Sequence, residues 1–81
     1  MKAILEYDLN DNDEQMAHMR AIKSLDMACV LFEITNNIKK ECEREVENKA
    51  DMNAYDAMEL VFEKIYASLE EHNIKVDELI N

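Results

Sequence analysis

The sequence predicts a mostly α-helical fold: a short N-terminal β-strand followed by an antiparallel two-helix hairpin, expected to self-associate. Three observations carry this expectation. The 81 residues include no glycine and no proline, so any turn that needs a positive φ falls to asparagine, which occurs eight times. Apolar residues recur at three- and four-residue steps along two long stretches, the period of a helix with one buried face. Residues 2–9 alternate with period two instead, which is the pattern of a strand.

In the opening segment Ala3, Leu5, Tyr7 and Leu9 point one way, and Lys2, Glu6 and Asp8 the other. A lone strand leaves its backbone N–H and C=O groups unpaired, so it needs an edge. The same strand of a second subunit, or Ile74-Lys75-Val76, would supply one. The polar turn Asn10–Asp13 follows. Asp11, with Glu14 three residues on, approximates a capping box, and acids in the first turn suit the helix dipole.

The first helix is expected from about Asn12 to Glu47, with a seam of Leu25, Ala28, Phe32, Thr35, Ile38, Cys42 and Val46. From Met27 to Phe32 the apolar band widens to nearly the whole circumference, which calls for burial on several sides. Asn36-Asn37 is a place for a bend, yet the seam continues past it in register, which favours one long helix. Glu47–Asp51 breaks the pattern and reverses the chain, with Asp51 or Asn53 as the next N-cap. The second helix, about 52–72, carries Tyr55, Met58, Phe62, Ile65 and Leu69 at 3-4-3-4 spacing. Asn73 is placed to end it in the left-handed conformation, with Ile74 as the hydrophobic contact beyond. A final turn, 74–81, carries Leu79 and Ile80. The pattern shows one domain, 1–81, with no repeats or linkers.

The formal charge is −10, from 19 acidic and 9 basic residues. Such a surface repels phosphate backbones and disfavours direct nucleic-acid binding, while it suits a basic partner. The longest apolar run, Met27–Phe32, is too short to cross a bilayer, and the N-terminus begins no signal-peptide core, so no membrane partner and a cytoplasmic location are expected. Cys29 and Cys42 lie 13 residues apart on one helical stretch, roughly 20 Å at helical rise, too far for a disulfide, and read as small buried hydrophobes.

Catalytic and metal signals are weak. Asp8–Asp13 begins like an EF-hand loop, but its sixth position is Asp13 where glycine is needed and its twelfth is Met19 where a bidentate Glu is needed. His18 and His72 stand in no metal-ligand spacing. Neither catalysis nor a cofactor is expected. Tyr55 and Tyr66 read as packing residues, and the six methionines as core filling. The acidic cluster stands out: Glu41, Glu43, Glu45 and Glu47 in one stretch, and Asp56, Glu59 and Glu63 on one face of the second helix. Like charges at such spacings weaken a helix, and Lys39, Lys40, Arg44, Lys49 and Lys64 relieve part of that cost. The self-association surface is placed at Leu5, Tyr7, Leu25, Met27, Leu31 and Phe32.

The opening Met1–Leu9 with its acidic turn, and the ending Leu69–Asn81, resemble small phage- and prophage-encoded accessory proteins built of a strand, a long helix and a second helix. The chain departs from that pattern in lacking tryptophan in its first helix. The resemblance implies a mobile-element accessory protein acting against host or defence machinery in the host cytoplasm, and assigns no catalytic residue. With the charge, it leads to the expectation of a non-enzymatic inhibitor or modulator that docks on a basic site, such as a nuclease's nucleic-acid groove, in the manner of a DNA mimic or anti-CRISPR protein. Two other readings stand beside it. One is a structural or scaffold oligomer. The other is a small-ligand sponge with sites between subunits, using helix N-termini at Asn12 or Asn53, where the surrounding acids disfavour an anion.

Overall fold

The computed structural model describes residues 1–80, so Asn81, the last residue of the expected C-terminal turn, lies outside the described residues. The chain is mostly helical. Helix α1 spans Asn12–Ile22, α2 Ser24–Glu33, α3 Lys39–Asn48, α4 Ala54–Glu71 and α5 Val76–Ile80, with a π-helical turn, Ile34–Ile38, joining α2 to α3.

Local chemistry accounts for the helix ends. The Asp11 carboxylate accepts from the backbone N–H of Asp13 at 2.9 Å and starts α1. The Asn53 side chain accepts from the N–H of Asp56 at 2.8 Å and starts α4. At the far end of α4, Asn73 takes φ 55°. The N–H of Ile74 then reaches the carbonyl of Leu69 at 2.8 Å, and that of Asn73 the carbonyl of Glu70 at 3.1 Å. This is a Schellman closure, and it directs Ile74 into the core beside Leu69.

The expected strand at 2–9 is absent: residues 1–8 have no regular backbone structure. Among the described residues no strand edge is offered to them: Ile74 is buried in the core and Val76 opens α5. The segment is instead held by the Tyr7 ring against His18, centroids 5.4 Å apart, and by the Gln15 side-chain amide donating to the carbonyl of Leu9.

The single helix expected from Asn12 to Glu47 is broken, at Lys23 rather than at the asparagine pair. Lys23 sits at φ −85°, ψ 0°, and Ser24 Oγ donates back to the Ala21 carbonyl at 2.7 Å. The break turns α1 toward α5, where Arg20 Nε donates to the Leu79 carbonyl at 2.7 Å. Lys23 Nζ donates to the Asn73 carbonyl at 3.2 Å. Beyond the break the helix runs on through Asn36-Asn37, but with one turn widened. Thr35 Oγ1 donates to the Leu31 carbonyl at 3.0 Å and Asn36 Nδ2 to the Phe32 carbonyl at 2.9 Å, satisfying carbonyls at the widened turn.

That turn decides what is buried. Val30 and Ile38, eight residues apart, would be roughly 80° out of line on a regular helix at about 100° per residue. An extra residue in the turn brings them to one side, and both are buried, with Cys42 a turn further on. The expected seam is correspondingly displaced: Leu25, Ala28 and Phe32 are exposed, and within Met27–Phe32 only Val30 is buried.

Helices α2 and α3 pack antiparallel to α4, with Glu33 opposite Ser68 and His72, and Glu41 and Glu45 opposite Lys64. The core centres on Val30, Ile74 and Leu79, with Met27, Ile34 and Leu69 packed against it. It is thin. The extents are 55 × 32 × 16 Å; a 16 Å thickness admits two helices at packing distance and no third. Among the described residues no side chain is fully enclosed.

Candidate functional site

Helices α3 and α4 form a pair with chemically different faces. On one, Glu45, Lys49, Asp51, Met52, Asp56, Glu59, Leu60 and Glu63 surround an open hollow. Five carboxylates converge there against the single ammonium of Lys49. The helical period explains the α4 contribution, since Asp56, Glu59 and Glu63 fall within one turn's arc, and Asn53 fixes where that arc begins. On the opposite face the groove between the helices is mainly apolar, lined by Cys42, Val46, Ala57 and Val61 with Glu43 and Glu47 at its rim.

The seven acids singled out in the sequence are thus divided. Glu45, Asp56, Glu59 and Glu63 share the hollow. Glu43 and Glu47 belong to the other face, and Glu43 lies 3.9 Å from Lys39 one turn earlier on α3. Glu41 is drawn to the interhelical line, where Lys64 Nζ stands 3.5 Å from its Oε2 and 3.5 Å from Oε1 of Glu45. The Glu45 charge, and then, against partial desolvation, that of Glu41, hold the Lys64 ammonium above the ordinary lysine value. Asp51, in the connection, completes the hollow. Nearby, burial pushes the Cys42 thiol up.

The residues placed at a self-association surface also separate. Leu5, Leu25, Leu31 and Phe32 are exposed. Tyr7 is half-buried against His18, and Met27 packs on the chain's own core.

A second polar group joins α2 to α4. Ser68, the one buried polar residue among those described, donates its hydroxyl to Glu33 Oε2 at 2.5 Å, and His72 Nε2 lies 3.2 Å from Glu33 Oε1. The Ser68 hydrogen bond, followed by that of His72, holds the Glu33 carboxyl below the usual glutamate value. Ligand atoms of Glu33, Glu71 and His72 lie within 4.8 Å of one another, so these are the residues placed to share a cation. Within the group only His72 and Glu33 are in hydrogen-bond contact, and Glu71 is exposed. The sequence contains one trace of it: Lys64, Ser68 and His72 recur every four residues from the middle of α4 to its C-cap, and that polar row, not the aromatic one, faces α2 and α3.

No family model, curated protein or solved structure matches the chain.

Proposed function

We propose that the chain is a non-enzymatic, phage-type accessory protein that uses the acidic hollow between α3 and α4 to dock on a basic site of a host or defence protein, such as a nuclease's nucleic-acid groove. The observation that supports this reading is the convergence of Glu45, Asp51, Asp56, Glu59 and Glu63 on one side of the hairpin. Asp56, Glu59 and Glu63 are exposed; their charges are free of the packing that engages Glu41 and Glu45 with Lys64. An array of carboxylates on a helical scaffold presents to cationic side chains what a phosphate backbone presents. It speeds encounter and loses strength with salt. The resemblance to phage accessory proteins supplies the class of partner, and the host cytoplasm its place.

The test is affinity selection from host extract on immobilised wild type and on the triple variant Asp56→Lys, Glu59→Lys, Glu63→Lys, with bound proteins identified by mass spectrometry. The expected result is a basic protein held by the wild type, released by duplex DNA and not held by the variant. Equal retention by both, or retention insensitive to DNA, rejects the reading.

Self-association belongs to the same proposal. A compact monomer of this mass exposes about 5,000 Å², whereas this chain exposes 6809 Å². Its radius of gyration is 17.4 Å, against about 12 Å for a compact chain of equal length. The irregular N-terminal segment contributes to both excesses. An N-terminal strand formed against a second copy would pair backbone groups that the single chain leaves unpaired.

A further inference from the structure

We propose that Glu33, Glu71 and His72 form a binding site for a zinc-class divalent cation that braces α2 against the C-terminal end of α4. The ligand atoms of the three side chains lie within 4.8 Å of one another. The acidic hollow is a separate place: its α4 acids, Asp56, Glu59 and Glu63, lie in the first half of the helix, whereas Glu71 is its last residue and His72 its C-cap. An imidazole nitrogen with two carboxylate oxygens is a donor set suited to zinc and its neighbours, and the two carboxylate charges balance a divalent ion.

The geometry needs little change to take the ion. Ligands about 2.0 Å from a tetrahedral zinc stand about 3.3 Å apart. His72 Nε2 already stands 3.2 Å from Glu33 Oε1. The ion takes the place of the hydrogen between these two atoms, and the imidazole carries its own hydrogen on Nδ1. The other oxygen of Glu33 is anchored, because Ser68, 3% exposed, donates to Oε2 at 2.5 Å. Such a hydrogen bond is the support that orients a ligating carboxylate. Cys29, Phe32, Glu33, Asn37 and His72 line an open cavity of about 370 Å³. It gives the ion a way in, and it leaves room for the water that completes a tetrahedron begun by three protein ligands.

Glu71 distinguishes a cation site from a plain hydrogen-bonded pair. Glu33 and His72 satisfy each other without it, yet an oxygen of Glu71 lies within 4.8 Å of both. Two carboxylates at that range repel. Glu71 also stands in the last turn of α4, where the helix dipole disfavours anions and no basic residue is present. Both unfavourable terms change sign once a divalent cation sits between the carboxylates, since the ion attracts both and suits the negative end of the helix. An ion held only by the folded chain stabilises it, and the more so as its concentration rises.

The experiment is calorimetric titration of the metal-free full chain with zinc chloride, with thermal melts in parallel and the ring signals of the two histidines followed by NMR. The expected results are a single site, a melting midpoint that rises with zinc, and displacement of the His72 ring signals while those of His18 stay in place. Glu71→Gln changes an exposed side chain and should leave helix content unaltered by circular dichroism. It should weaken zinc binding about tenfold or more, as should Ser68→Ala through Glu33. Absence of binding, magnesium bound as tightly as zinc, or zinc held equally by Glu71→Gln overturns the proposal. So does zinc that displaces the His18 ring in place of His72. Zinc binding that survives Glu71→Gln but is lost in the triple variant Asp56→Asn, Glu59→Gln, Glu63→Gln puts the ion at the acidic hollow and overturns it as well.

Discussion

The hydroxyl of Ser68 on α4 donates a 2.5 Å hydrogen bond to Glu33 on α2, and it does so from a position only 3% exposed. The bond stabilises the ionised carboxylate, and the sign of its pH dependence follows. With the folded-state value of Glu33 held below the unfolded one, the contribution is fully present above the ordinary glutamate value of roughly 4.3. It is lost as pH falls through the lowered folded value. Glu33→Gln and Ser68→Ala should each lower the melting midpoint at neutral pH, and the gap from wild type should close in acid. Thermal melts between neutrality and strong acid check this; a gap that is constant with pH contradicts it.

At Lys64 the sign is reversed. Glu45 and Glu41 raise its folded-state value, so the stabilisation is complete below the ordinary lysine value of roughly 10.4 and is lost as pH rises through the raised one. Lys64→Gln should loosen the α3–α4 pair at neutral pH. Hydrogen exchange at the start of α4 should rise in the variant, and added salt should bring wild type toward it.

Asn73 holds the left-handed residue that closes α4. A Cβ without a local hydrogen-bonding group is disfavoured there, so Asn73→Ala should cost about 1 to 2 kcal/mol. Asn73→Gly should be neutral or stabilising. Denaturant midpoints measure both, and an alanine variant as stable as the glycine one contradicts the argument.

Ile74 and Phe32 differ in burial despite similar hydrophobicity. Ile74→Ala removes a side chain 7% exposed at the centre of the core and should destabilise by about 2 to 5 kcal/mol. Phe32→Ala, from a side chain 61% exposed, should change chain stability by much less. Chemical denaturation of the two variants under one condition gives the comparison.

The features legible in the residues alone are mostly local. The absence of glycine and proline with helical periodicity predicted a mostly helical chain. Asp11, Asn53 and Asn73 marked helix ends because capping is chemistry between residues two to five apart. The acids Asp56, Glu59 and Glu63 were legible as one face because helical spacing fixes it. Which faces are buried depends on contacts between elements distant in the chain. The widened turn at Ile34–Ile38 rotates α2 relative to α3, so the seam read through Phe32 and Ile38 is not one surface, and Leu25, Ala28 and Phe32 remain exposed. The break at Lys23 depends on α1 reaching the carbonyl of Leu79 fifty-nine residues beyond Arg20. The period-two pattern at residues 2–9 describes what a strand would need, but a strand forms only where an edge exists, and the single chain offers none. On α4 the aromatic row was the stronger signal, yet Lys64, Ser68 and His72 face the neighbouring helix, because their partners Glu33, Glu41 and Glu45 lie across the hairpin. Periodicity reports that a face is apolar; what covers that face is settled by contacts between residues far apart in the chain.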